Sequence, residues 1–305
     1  MRILVTGAGG FAGRHLAREL TQHGHEVVAF DLSFSSPVTG ATASPVGDLC
    51  DAAGMGRLLA STRPDACIHL GGVSFVPAGK SNPEVMLSVN VIGTLNVLDA
   101  IRAQVPACRV LVVSTAQVYR ASPDAPPMKE DSPLLPVTVY AISKAAADLA
   151  TLAYARQYGL QAMTARPNNH TGPGQSPRFS VPSFARQVKA VARGEAKPPL
   201  RVGNLESRRD LSDVRDVVRA YRLLIEKGQA GEAYNISSQN LVKMSAVVDE
   251  LCRLAGVGPA LETDPALYRP ADDSPQVETV KIQRETGWKP QIPFSQTLRD
   301  VLSET

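Results

Sequence analysis

The stretch Arg2-Ile3-Leu4-Val5-Thr6-Gly7-Ala8-Gly9-Gly10-Phe11-Ala12-Gly13 decides the fold. Residues 2–6 form a short apolar strand signal, the glycines follow at once, and 14–23 read as a helix. A second apolar run, 26–30, stops at Asp31. Strand, glycine turn, helix and a strand ending in an acid make a dinucleotide-binding βαβ unit. Gly7 permits the tight turn, Gly10 lets backbone approach a pyrophosphate, and Gly13 lets helix and strand pack closely. Phe11 and Ala12 lead into a helix N-terminus that offers unpaired N–H groups and positive dipole to the phosphates. Asp31 sits where a carboxylate accepts hydrogen bonds from an adenosine ribose diol and repels a 2′-phosphate. Leu32 and Ser33 supply no compensating Arg. NAD is therefore expected over NADP, with NADH the favoured reductant and NADPH left open.

The chain has 305 residues, enough for a large core and two lobes. Its 44% hydrophobic and 20% charged residues are those of a soluble globular protein. A formal net charge of +3 is too small and dispersed to argue for nucleic acid or a membrane surface. No uninterrupted apolar run reaches the ~20 residues of a membrane span, and the first strand begins at Arg2, leaving no room for a signal peptide. Cys50, Cys67, Cys108 and Cys252 are far apart and read as reduced thiols of a cytoplasmic protein. No metal site is expected.

Beyond the opening unit, 33–45 is rich in Ser, Thr and Pro and reads as loop, and 52–61 as a helix. Residues 64–70 form a buried strand that runs through Leu70 into Gly71 and Gly72, small residues across which a cofactor can lie. A helix is expected from Asn82-Pro83 to about Ala103, and a strand over 109–114. Strand and helix alternate, so the fold class is α/β, a doubly wound parallel sheet. After the strand come Ser114-Thr115-Ala116-Gln117, a Pro-rich loop over 122–136, and a helix holding Tyr140 and Lys144, one turn apart on one face. A hydroxyl-bearing strand end, a Tyr/Lys pair and a nucleotide-binding amino terminus are the parts of a carbonyl-reducing site.

The chain resembles the extended short-chain dehydrogenase/reductases over essentially its whole length. The motifs are the glycine turn, Asp48-Leu49, His69-Leu70-Gly71-Gly72, Asn90, Ser114-Thr115 and Tyr140-x-x-x-Lys144. Arg166-Pro167-Asn168-Asn169-His170-Thr171-Gly172-Pro173-Gly174-Gln175, residues 208–216 and Gly287-Trp288-Lys289-Pro290 complete the set. The resemblance implies a Rossmann-type domain of residues 1–168 plus 211–236. A smaller α/β substrate-binding lobe is implied for 169–210 plus 237–305. It implies catalysis by Thr115, Tyr140 and Lys144, with Tyr140 as general acid/base and Lys144 lowering its pKa. The cofactor would meet Gly7, Gly10, Phe11, Ala12, Gly13, Asp31, Asp48, Leu49, Leu70, Gly71, Gly72, Asn90, Tyr140, Lys144 and Pro167. The substrate would meet Ser74, Thr115, Gln117, Asn169, Gln175, Arg209 and Arg269, the two arginines pairing with a diphosphate.

Family 4,6-dehydratases carry two acidic residues after the Thr, where this chain has Ala116 and Gln117. Neither can serve as an acid or base, so elimination is not expected. Residues 169–175 and 202–214 resemble the branch acting on GDP-mannose derivatives. The implied reaction is reduction of the 4-ketone of GDP-4-keto-6-deoxy-D-mannose to GDP-D-rhamnose. A 4-epimerase with retained NAD is the alternative, and a non-catalytic NAD-binding sensor the remotest reading. Arg120, where the family usually has Gly, is expected to read the substrate. The resemblance also implies a homodimer, through a four-helix bundle formed by the helices after Asn90 and around Tyr140.

Overall fold

The computed structural model describes residues 1–74, 78–120, 126–258, 260–268 and 273–304, side chains 78 and 80 excepted. In chain order it runs β1 (Arg2–Thr6), α1 (Phe11–Gln22), β2 (Glu26–Phe30), β3 (Ala41–Ala43), α2 (Ala52–Thr62), β4 (Ala66–His69), α3 (Ala78–Ser81) and α4 (Pro83–Leu87). A π-helical turn, Ser88–Ile92, leads into α5 (Gly93–Gln104), β5 (Arg109–Val113), α6 (Val139–Tyr158), β6 (Ala162–Pro167), β7 (Asn169–Thr171) and α7 (Ser180–Ala192). Then follow β8 (Leu200–Val202), β9 (Arg208–Asp213), α8 (Val214–Lys227), β10 (Ala233–Ile236), β11 (Leu241–Lys243), α9 (Met244–Ala255), β12 (Leu261–Thr263), α10 (Val280–Thr286) and α11 (Phe294–Glu304).

Seven strands form one parallel sheet in the order β10-β6-β5-β4-β1-β2-β3. The chain winds outward from β1 through β2 and β3, then returns to β1's other side as β4. That reversal opens a crevice at the carboxyl ends of β1 and β4, the place where such sheets bind ligands. Strands β1, β4 and β5 are buried on both faces, so their sequences are continuous apolar runs. One face packs against α1 and α8, with Leu16, Leu20, Val217, Tyr221 and Leu224 fully buried. The other packs against α2 and α5 through Leu59, Val97, Leu98 and Ile101. A separate core of Phe184, Val188, Leu200, Val247, Leu251 and Leu298 joins α7, α9 and α11 to β8, the second lobe.

Several expectations change in detail. The loop over 33–45 contains β3, a sheet-edge strand whose Ala-Thr-Ala carries no apolar signal and is largely exposed. The helix expected from 82 is interrupted by the π-helical turn around Asn90, a feature common at functional sites. Pro83–Gln104 as a whole is the one helical run among the described residues long and apolar enough to cross a membrane, with mean hydropathy 1.4. Part of its apolar surface packs on α2 and α6, while Val85, Leu87 and Ile92 stay exposed. Finally, α10 and Trp288 pack on α8, β10 and the core beneath the nucleotide crevice rather than in the second lobe, where the resemblance puts 237–305. Trp288 is fully buried and donates its indole N–H to the Asp216 carbonyl at 2.9 Å.

Candidate active site

The crevice continues into the gap between the lobes as one cleft of about 1170 Å³. At its nucleotide end the glycines are sterically required. Gly7 has φ +71°, and a Cβ there would stand 2.7 Å from the Gly71 nitrogen; at Gly13 it would stand 2.3 Å from the Gly7 carbonyl oxygen. Helix α1 begins at Gly10 without a side-chain cap and with no acid in its first turn. By contrast α2, α6 and α8 are capped by Asp51, Thr138 and Asp213. Phe11, Ala12 and Gly13, at this uncapped helix start, line the cleft and make an electropositive seat for a pyrophosphate. Asp31, at the end of β2, accepts the Gly9 N–H on Oδ2 (2.8 Å) and the Leu32 N–H on Oδ1 (2.7 Å), which fixes its carboxylate at the cleft wall. Deep in the same cleft the fully buried Tyr221 hydroxyl has no hydrogen-bond partner among the described residues. A cradle with no room for a Cβ, an open helix start and a fixed acid together fit a dinucleotide.

Thr115, Tyr140 and Lys144 line the centre. Thr115 caps a short turn by accepting the Gln117 N–H at 3.2 Å, and its hydroxyl bonds Tyr140. Burial pushes the Tyr140 phenol up to about 12, and the Thr115 bond opposes this. Burial also takes the Lys144 ammonium down to about 8, with Asp148 pulling it back. The expected lowering of Tyr140 by Lys144 is thus not what the protein's own groups produce: desolvation wins.

Of the residues expected at the cofactor, all line the cleft except Asn90. Asn90 is buried at 2% exposure, and its amide is fully used by the Val73 N–H, the Val73 carbonyl and Ser143 Oγ. It holds the loop after β4 against α6. Ser74, Gln117, Asn169, Gln175 and Arg209 line the substrate side. The Gln175 amide is engaged with Thr171 Oγ1 and the His170 carbonyl, so it braces the turn after β7. Arg269 lies outside the described residues. Arg120 is exposed and is not among the residues lining the cleft. His170 stacks on Phe11 at 6.2 Å, and burial pushes its pKa down, so it stays neutral. The sequence reading missed Arg178 and Arg201, which join Arg209 at the substrate end. They lie far apart in sequence, and only the fold brings them to the same cleft.

Fold and site define a nicotinamide-dinucleotide-dependent oxidoreductase of the extended short-chain dehydrogenase/reductase kind. Residues 4–301 match the family model described as GDP-mannose 4,6 dehydratase, and the chain belongs to that family. It is 34% identical to the GDP-6-deoxy-D-mannose reductase of Pseudomonas aeruginosa, over 99% of this chain and 96% of that one. The structure of RMD from Pseudomonas aeruginosa complexed with NADPH superposes with a TM-score of 0.86, at 33% identity, covering 99% of this chain and 98% of that one. The UDP-glucose 4-epimerase of Thermus thermophilus in complex with NAD superposes at 0.88, with 27% identity and 100% and 98% coverage.

Proposed function

We propose that the chain reduces the 4-keto group of a nucleotide 4-keto-6-deoxy-sugar, specifically GDP-4-keto-6-deoxy-D-mannose to GDP-D-rhamnose. The observation that carries this reading is the composition of the strand end facing Tyr140. A phenol donor and an ammonium are present, while the next two side chains are a methyl and an amide. Such a site can protonate an alkoxide but cannot remove a ring proton and expel water. The 34% identity to a GDP-6-deoxy-D-mannose reductase supports the same branch.

The reduced nicotinamide supplies the hydride when bound. Tyr140 Oη donates its proton to the emerging alkoxide, and Thr115, whose hydroxyl bonds the phenol, holds that oxygen. The Lys144 ammonium, buried beside them, compensates the negative charge left on Tyr140. Arg178, Arg201 and Arg209 offer three cationic groups to the substrate's diphosphate. Asp31, an acid fixed at the end of β2 where a ribose diol is ordinarily bound, supports NADH as the favoured reductant. Two lobes are proposed as 1–168 with 211–236 and 280–288, and 169–210 with the remaining tail. A homodimer is proposed through α5 and α6, whose Ile92 flank, Ile142 and Leu149 are about half exposed; light scattering tests it.

The likeness to a UDP-glucose 4-epimerase supports a second reading, in which NAD is retained. Mixing the enzyme with GDP-4-keto-6-deoxy-mannose and NADH separates the two. Stoichiometric oxidation of NADH is the expected result, and turnover without net NADH loss would overturn the reductase reading.

A further inference from the structure

The ends of β1 and β4 lie side by side, with Thr6 and His69 in register and both buried. Thr6 Oγ1 stands 2.6 Å from His69 Nδ1, and His69 Nε2 stands 3.0 Å from Thr94 Oγ1. The neighbours settle which atom donates. The Thr94 hydroxyl gives its proton to the Asn90 carbonyl at 2.7 Å, so its oxygen accepts from the ring and Nε2 carries the hydrogen. The Gly71 N–H donates to Thr6 Oγ1 at 3.2 Å, which leaves the Thr6 proton for the bare Nδ1. From Asn90 the chain of bonds continues through Nδ2 to Ser143 Oγ (2.9 Å) and from the Ser143 hydroxyl to the Tyr140 carbonyl (2.7 Å). Asn90 also holds both backbone groups of Val73, in the loop that follows Gly71 and Gly72.

We infer that His69, as the neutral Nε2–H tautomer, is a positioning residue that splices the nucleotide-binding end of β1 to the catalytic helix. It rests on the reading of Tyr140 and Lys144 given above. The ring joins two elements that no backbone ladder connects: the strand end carrying the glycine turn, and the π-helical turn whose Asn90 grips α6. Removing it frees the loop at Gly71–Val73 and the start of α6 to shift relative to one another, and with them the nicotinamide seat relative to Tyr140. A histidine suits the place because one rigid ring presents an acceptor and a donor on opposite sides. Its neutrality follows from the place as well. Burial holds it down to about 3, and the Lys144 cation repels a second positive charge.

Two measurements test this in the full chain. In protein with ¹⁵N-labelled histidine, the His69 signals, assigned by their absence in His69→Gln, are expected to show a bare Nδ1 and a protonated Nε2. They should not titrate across the range in which exposed histidines do. A doubly protonated ring or the opposite tautomer overturns the inference, and this reading needs no turnover, so it stands apart from the identity of the sugar. In steady-state kinetics, His69→Leu and Thr94→Val are expected to lower kcat by about 10- to 100-fold, with KM values changed much less. His69→Gln, whose amide offers one acceptor and one donor, is expected to recover most of the rate. Gln as poor as Leu, or Thr94→Val at full kcat, overturns it. Thr94→Val is nearly isosteric and keeps the test open if His69→Leu fails to fold.

Discussion

Arg166 grips Asp148 through two hydrogen bonds, Nε to Oδ2 and Nη2 to Oδ1, each 2.8 Å long, buried one helical turn beyond Lys144. The same guanidinium bonds the Tyr119 hydroxyl at 2.6 Å and the Glu130 carbonyl at 2.8 Å, so the pair anchors β6 and the loop before α6 to the catalytic helix. Asp148 also raises the Lys144 ammonium against its burial.

Asp148→Asn is therefore expected to do two things. It leaves the Arg166 charge buried without its anion, destabilising the protein by about 3–5 kcal/mol. It also removes the group that holds Lys144 up, so Lys144 loses its proton below about 8. The activity that needs the ammonium is then lost at lower pH, and the alkaline limb of the rate profile moves left. Thermal unfolding and a pH–rate profile check both; an unmoved alkaline limb contradicts the electrostatic role.

Tyr140→Phe is expected to lower kcat by about 10²- to 10⁴-fold, the span for loss of a proton donor, while NADH still titrates the protein's fluorescence. In the unmutated enzyme the two pKa values separate cleanly. Tyr140, near 12, remains an acid throughout the neutral range, whereas Lys144, near 8, does not. Reduction should hold level below about 8 and fall as pH rises through it. A rate that instead climbs through that region would show a phenolate requirement.

Asp31→Ser removes the negative charge from the ribose seat. The ratio of kcat/KM for NADPH to that for NADH is expected to rise about tenfold or more, corresponding to roughly 1.4 kcal/mol. Parallel assays with both cofactors decide it, and an unchanged ratio would mean that another residue sets coenzyme choice.

Gly13→Ala places a methyl group against the Gly7 carbonyl oxygen, at 2.3 Å before any relaxation. The atoms it meets are all backbone of Gly7 and Ala8, which cannot yield cheaply, so a loss of about 1–3 kcal/mol is expected together with loss of dinucleotide binding. Calorimetry of NADH binding and a melting curve read the two effects; retained affinity would mean that the turn can open.

Much of this molecule is local in origin. The strand, glycine turn, helix and terminal acid of residues 2–31 lie within one short span, so their order alone identifies the nucleotide end. Tyr140 and Lys144 share a face because a helix repeats every 3.6 residues. Ala116 and Gln117 argue against elimination wherever they stand, since neither side chain exchanges protons. What only the tertiary structure decided involves partners distant in sequence. Asn90 is a buried clamp because Val73 and Ser143 meet around it. Trp288 and α10 went to the nucleotide-binding core because α8 offers the Asp216 carbonyl to the indole. Desolvation, a property of the assembled cleft, pushes the Tyr140 phenol up, against the lowering expected from its neighbours. The tautomer of His69 depends on Thr6, 63 residues before it, and Thr94, 25 after, so no local pattern could carry it. Spacing along the chain specifies which groups a turn or helix presents; packing between distant segments specifies how those groups are charged, aimed and held.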